Sequence, residues 1–451
     1  MRGGHLRRGG AFFAASQFLG MGLGFVGSIV MVRVAQPQDV ASYLLLLQAT
    51  TALGLILQLG LGPAALRFVP VSRGEGGDTA TALLRRRLFR IQITLWCVIV
   101  PPLALSWPWI ARRLDAPELA TATPFLIAAG LLASLGHLVD NYLRAFRLYA
   151  SSALFSHLTA RVLVLGGFVA LWLSAAEAVP WQVLISIFLG SQLVQALGYA
   201  LSLPLTTQGE TSEPRTAVLP PDIRTILGAT TAMGLRSAAS VLFVSADLWI
   251  LSWARPHEEV AVYGIVTRVL HVMAALPGIA NFVIPQELSM LFADGRRDEM
   301  ERLTRTASTF MALLSGACFL GILVLGRPLL HLAFGDTYMS GWSILLILAV
   351  GTFWDTASGS AGFALQMTGH HNRLLQLTAA AAVFKVALSL ALAQSWGGHG
   401  VAVATTVSLI ALNMAMVWSA RRLVGIRTFV YLEPARWREV LRKAVGERNG
   451  A

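Results

Sequence analysis

The sequence predicts an all-α, polytopic membrane protein of about twelve transmembrane helices, arranged as two six-helix lobes related by a parallel repeat. Three observations predict it. The 451 residues are 55% hydrophobic and only 13% charged, with a mean hydropathy of +0.65, whereas a soluble chain carries roughly 25% charged residues. Twelve apolar runs of about 20 residues can be counted, the length that crosses a hydrocarbon core of roughly 30 Å. Finally, the basic residues fall almost entirely into alternate gaps between those runs.

The runs span 11–32, 40–62, 91–110, 123–143, 153–173, 182–203, 226–252, 261–290, 307–326, 342–367, 375–395 and 401–420. Arg2, Arg7 and Arg8 before the first run imitate a secretory leader. That run is long enough to span and no small-residue cleavage site follows it, so a retained first helix is expected. Of the 35 Lys+Arg, 26 lie in gaps that the positive-inside rule makes cytoplasmic, 5 lie outside and 4 lie within runs. Arg85, Arg86, Arg87 and Arg90 fill one inside loop, and Arg296, Arg297, Arg302 and Arg305 another. An even number of spans then puts both termini in the cytoplasm. The net charge of +12 expresses this topology and does not point to nucleic acid.

All outside gaps are short, which excludes a folded extracellular domain and leaves little room for a large catalytic loop. The longest break, Pro204 to Asp222, contains Pro214, Pro220 and Pro221 and reads as a flexible cytoplasmic linker. The expected division is a lobe over 1–203, a linker over 204–225, a second lobe over 226–420 and a tail over 421–451.

The two lobes share sequence. RVAQPQDVASY (Arg33 to Tyr43) precedes and enters the second run, and WARPHEEVAVY (Trp253 to Tyr263) the eighth. Val40, Ala41 and Tyr43 recur 220 residues later as Val260, Ala261 and Tyr263, with Asp39 matched by Glu259. RLFR (Arg87 to Arg90) is echoed by RLTR (Arg302 to Arg305). With an even number of spans per half the repeat is parallel, about an axis along the membrane normal, as in transporters that rock two bundles. In the tail, Trp437, Val440, Leu441 and Ala444 form an i, i+3, i+4, i+7 stripe flanked by Arg436, Arg438, Arg442 and Lys443. This pattern suits a basic amphipathic helix on an anionic leaflet.

Soluble-enzyme motifs are absent. The only lysines, Lys385 and Lys443, lack the glycine pattern of a phosphate loop, and no HExxH, CxxC pair or GxSxG occurs. Cys97 and Cys318 each lie within an apolar run, with no disulfide framework or metal spacing. His370 and His371 are adjacent and point in different directions on a helix, so no metal centre is expected. No cofactor is expected either.

Ionisable residues inside runs carry the functional information, because a charge at mid-bilayer costs about 2.5–3.5 kcal/mol on insertion scales and normally faces a partner or a watery cavity. The basic set is Arg161, Arg236, Arg268 and Lys385, expected to line a cavity and bind substrate. The acidic set is Asp140, Asp247 and Asp355, expected to respond to H+ or Na+. Arg236 and Asp247 are roughly 16 Å apart along one helix, and Arg268 and His271 are i, i+3 neighbours. Asp355 sits among Thr352, Thr356, Ser358 and Ser360, a strip hard to place against lipid. For each group the plain alternative is snorkelling or an interfacial position. Fixed guanidinium groups suit a phosphorylated, anionic solute.

From Asp247 onward the chain resembles the polysaccharide-export, oligosaccharide/O-antigen flippase branch of the multidrug/oligosaccharidyl-lipid/polysaccharide flippase superfamily. DLWILSWARPHEEVAVYGIVTRV (Asp247 to Val269), IPQELSMLFADGRRDEMERLTR (Ile284 to Arg305) and LLHLAFGDTYMSGWSILLILAVG (Leu329 to Gly351) carry it. GSAGFALQMTGHHN (Gly359 to Asn372) and WGGHGVAVATTVSL (Trp396 to Leu409) continue it, and GLGPAALRF (Gly60 to Phe68) agrees more loosely. The resemblance implies a two-lobed flippase in the bacterial inner membrane. It would move undecaprenyl-pyrophosphate-linked oligosaccharide from the cytoplasmic to the periplasmic leaflet by alternating access, for surface polysaccharide biosynthesis. Its partners would be the lipid-linked glycan, membrane lipids, and a polymerase and glycosyltransferases of the same pathway.

Two other classes compete. A cation-coupled multidrug exporter of the same superfamily would need an acid-rich cavity, whereas the ionisable residues here are at least as basic as acidic. A membrane glycan polymerase or ligase would need a large periplasmic loop, which the short outside gaps do not provide.

Overall fold

The structure, a computed structural model of the chain, describes residues 2–113, 120–146, 148–176, 178–203, 223–275, 278–431, 433 and 437. Of the expected linker over 204–225, residues 204–222 lie outside them and 223–225 begin a helix, and the stripe residues Val440, Leu441 and Ala444 also lie outside. Fourteen α-helices are present among the described residues and no strand. Among the described residues, ten helices are long and apolar enough to cross a membrane. The protein is all-α and multi-pass.

The chain divides into two compact units, Met1–Ala261 and Val262–Ala451. The first contains α1 (Arg2–Val34), α2 (Pro37–Gln58), α3 (Leu61–Arg113), α4 (Thr123–Ala145), α5 (Tyr149–Ala153), a π-helical turn (Leu154–Thr159), α6 (Ala160–Leu173), α7 (Trp181–Ser202) and α8 (Ile223–Ala254). Here α4 packs on α2 and α3, α1 lies along α6, and α8 packs on α2 and α3. The sequence division assigns α8 to the second lobe, because the polar break before it is the only boundary signal. In the structure Ile226 of α8 joins a core with Leu61, Leu84, Leu88 and Tyr142.

Loop geometry holds one end of this unit. Asp39 Oδ1 accepts a hydrogen bond from the Trp181 backbone N–H at 2.9 Å, and the Val179 N–H donates to the Val34 carbonyl at 2.9 Å. Residue Trp181 opens α7, whose N-cap Pro180 provides no side-chain acceptor, so Asp39 supplies the cap from another helix.

The second unit contains most of α9 (His257–Ala275), then α10 (Gly278–Ala293), α11 (Arg297–Phe334), a 3-10 turn (Asp336–Gly341), α12 (Trp342–Ser358), α13 (Ala361–Met367) and α14 (His371–Leu423). Two expected spans are therefore not single helices: 261–290 is divided between α9 and α10, and 342–367 between α12 and α13. The helix α14 merges the last two expected spans across a kink at Gly397, whose φ of 55° breaks the helical path. Its core joins Ile284, Leu288, Met300, Leu365 and Val424.

The repeated sequence falls at buried positions of α2 and α9. Val40, Ala41 and Tyr43, and equally Val260, Ala261 and Tyr263, are buried, so the shared sequence encodes packing. The acidic match is used differently, since Glu259 faces Arg255 at 3.9 Å. Gly77 and Gly295 take positive φ (63° and 72°), each shortly before the basic RLFR or RLTR helix. A left-handed residue there costs a glycine little.

Candidate functional site

In the first unit the charged groups of α4 and α6 gather round an irregular stretch. The π-helical turn widens the backbone, and three of its carbonyls are taken by side chains. Thr159 Oγ1 donates to the Leu154 carbonyl at 3.0 Å, Gln195 Nε2 to Phe155 at 2.8 Å, and Arg161 Nη1 to His157 at 3.3 Å. Arg161 is half-buried and lies over the glycine face of α1. A Cβ on Gly20 would collide with Arg161 Nη1 and the His157 carbonyl, whereas one on Gly24 would lie 3.9 Å from Arg161 Cδ, an ordinary contact. Gly20 of α1 thus makes room for a guanidinium as well as allowing close helix packing.

Asp140 is 6% exposed and is held on both oxygens. Arg144 Nη2 stands 2.5 Å from Oδ2, and Ser152 Oγ donates to Oδ1 at 2.5 Å. Arg144 Nε also donates to Ser152 Oγ at 3.2 Å, which closes the triangle. This buried ion pair gives Asp140 a structural task in addition to the cation role its sequence position suggests. Arg144 falls just beyond the expected run 123–143, and its i+4 spacing from Asp140 is readable in the sequence. Asp247 is buried in α8. Arg236 lies in α8, with its side chain outside the described residues.

In the second unit α12 ends at Ser358, where Gly359 takes φ 73°. Asp355 therefore sits in the last turn of a helix and not at mid-span as the run 342–367 suggested. The side chain is exposed, and its Oδ1 accepts a hydrogen bond from Asn413 Nδ2 at 2.8 Å. Asn413 is buried and its amide also donates to the Leu409 carbonyl at 3.0 Å, which aims it from α14 at the carboxylate. The hydroxyls expected to form a polar strip beside Asp355 turn inward. Thr352, Thr356 and Ser358 are buried and donate to carbonyls four residues back, at 3.1, 2.9 and 2.8 Å. Only Asp355 of that strip faces outward among these four, a distinction that helical periodicity alone did not draw.

Arg268 is half-buried in α9. Lys385, expected in a cavity, is 1% exposed, so in this conformation a solute does not reach it. Asn413 was missed by sequence reasoning, although a single Asn within the last apolar run was a usable signal.

These features define a class: a multi-pass, all-α membrane protein with the fold of the multidrug/oligosaccharidyl-lipid/polysaccharide transporters. Among solved structures similar to it, the lipid II flippase MurJ in an inward closed conformation matches 96% of this chain and 90% of its own, at 12% identity and TM-score 0.73. An inward-facing multidrug resistance MATE transporter of the MOP superfamily matches 90% and 95%, at 15% identity and TM-score 0.68. A MOP superfamily transporter from Pyrococcus furiosus, described by the reverse polarity of its binding pocket, matches 93% and 96%, at 15% and TM-score 0.61. No curated protein sequence matches.

The family model described as polysaccharide biosynthesis protein matches residues 6–285, more than half of the chain. The protein belongs to that family. The matched stretch includes the block from Asp247 to Val269 but otherwise lies in the N-terminal part, where the resemblance read from sequence was looser. The later blocks, from Leu329 onward, fall outside it.

Proposed function

We propose that the protein is a flippase that carries undecaprenyl-pyrophosphate-linked oligosaccharide from the cytoplasmic to the periplasmic leaflet by alternating access, for surface polysaccharide biosynthesis. The observation that carries this reading is that a chain of the polysaccharide biosynthesis family keeps a half-buried guanidinium inside a helix of each unit, Arg161 in α6 and Arg268 in α9. Guanidinium groups match the paired oxygens of a pyrophosphate. Arg236 and Lys385 complete the proposed basic set, Lys385 in a conformation that opens its surroundings. The Asp355–Asn413 pair is the proposed point of H+ or Na+ coupling, with Asp140 and Asp247 as further acidic groups. The polymerase and glycosyltransferases of the pathway are its proposed partners, and the bacterial inner membrane, with both termini cytoplasmic, its proposed location.

Deleting the gene and assaying lipid-linked glycan on each face of the inner membrane tests this. Undecaprenyl-linked units should accumulate on the cytoplasmic face while surface polysaccharide is lost. Units that reach the periplasm unpolymerised would instead indicate a polymerase, and an unchanged glycan with altered drug sensitivity an exporter. Arg236→Ala with Arg268→Ala should abolish export at normal membrane abundance, and normal export by the double variant would refute the assigned pyrophosphate contacts. Asp355→Asn should block export, and undiminished export would remove Asp355 from coupling.

A further inference from the structure

The chain beyond α14 does more than end the protein. Over residues 424–431 it leaves the helix without regular structure, with Val424, Ile426, Thr428 and Val430 buried and Gly425 and Arg427 exposed. That period of two is the signature of a strand, although no strand lies beside it among the described residues. Its hydrogen bonds go instead to α11 and α12.

The reason lies in the break after Ser358. A helix that stops leaves its last carbonyls without i+4 donors, and near a bilayer lipid cannot satisfy them. The Val430 N–H donates to the Ala357 carbonyl at 3.1 Å, and Thr428 Oγ1 donates to the Ser358 carbonyl at 3.1 Å. On the opposite side α11 anchors the segment. Ser308 Oγ donates to the Thr428 carbonyl at 2.9 Å, the Arg427 N–H to Glu301 Oε2 at 3.0 Å, and the Tyr431 N–H to Thr309 Oγ1 at 3.1 Å. The Arg305 guanidinium stacks 4.1 Å over the Tyr431 ring, and the Phe429 ring lies 5.8 Å from that of Trp354. No side chain fits at Gly359, where a Cβ would collide with Ser308 Oγ and the Thr428 carbonyl.

Residues 354, 357 and 358 are thus held from one side while Asn413 holds Asp355 from the other. We propose that residues 424–431 are a strap that sets the position of Asp355, with Thr428 as the positioning residue that caps the broken end of α12 from outside the helix. The proposal rests on the reading that Asp355 takes part in transport. It adds that a segment beyond the last membrane helix governs that residue. The strap stays engaged as a fixed support and makes no contact with substrate itself.

The test needs a readout that simple stabilisation would not move. In a full-length chain with Cys97→Ser and Cys318→Ser, Asp355→Cys would be labelled with a membrane-impermeant maleimide, with and without Thr428→Val or Thr428→Ser. Thr428→Val keeps the shape and deletes the donor, and should change the labelling rate about fivefold to tenfold, the scale set by one buried hydrogen bond. In the native-Asp355 background it should lower export as Asp355→Asn does. Thr428→Ser keeps the donor and should restore both. Should Thr428→Val fail to reach the membrane, Ser308→Ala and Phe429→Leu loosen the same strap and should shift labelling in the same direction. Wild-type labelling in all three overturns the proposal. Shifted labelling with normal export by Asp355→Asn would leave the strap standing and refute only the coupling role of Asp355.

Discussion

Removing Arg144 should destabilise the first unit far more than neutralising its partner. Asp140 is buried and bonded to Arg144 and Ser152 at 2.5 Å each, while the Arg144 side chain is 29% exposed and Asp140's 8%. Arg144→Ala leaves a carboxylate in the interior with only the Ser152 hydroxyl. Breaking a buried pair in this way costs about 3–5 kcal/mol, and the partial exposure of Arg144 sets the expectation at the lower end, about 3 kcal/mol. Asp140→Asn leaves the guanidinium able to turn toward water and an amide able to accept from Ser152, so a loss of about 1 kcal/mol is expected. The double variant should resemble Asp140→Asn, which makes the coupling in a double-mutant cycle about 3 kcal/mol. Equilibrium unfolding of the purified protein in detergent micelles, followed by tryptophan fluorescence, measures all three. Equal and additive losses from the two single variants would refute the argument, because they would mean that Asp140 has water or other partners when Arg144 is gone.

Gly20→Ala should destabilise by about 1–3 kcal/mol through overpacking and reduce export, because its Cβ meets Arg161 and the His157 carbonyl; Gly22→Ala, with nothing within 4 Å, should be neutral in both thermal unfolding and export. Asp39→Ala should cost about 1 kcal/mol through the lost cap on α7, whereas Asp39→Asn keeps an acceptor for the Trp181 N–H and should unfold close to the wild-type temperature.

The membrane class, the helical architecture and the repeat were legible in the sequence because they depend on composition and period alone. Length, apolarity and the alternation of arginines act on every residue of a run, so single errors average out. The identity of the important ionisable residues was partly legible too, since a charge within an apolar run is visible wherever it points. Their partners were not. Asn413 and Asp355 are 58 residues apart, and the arginine nearest Asp140 falls just beyond an apolar run. The run 342–367 reads as one span, because Gly359 is an ordinary residue in apolar sequence until Ser308 and Thr428 close around it.

The sequence by itself determined that this is a polytopic membrane protein with duplicated halves, because the bilayer imposes a one-dimensional code of run length and charge. Only the tertiary structure decided that α8 packs with the first unit, that Lys385 is enclosed, and that Asp355 lies at a helix end held by Asn413 and flanked by the segment that follows α14. Those outcomes depend on which face of each helix meets a neighbour, and that is settled by contacts between residues far apart in the chain.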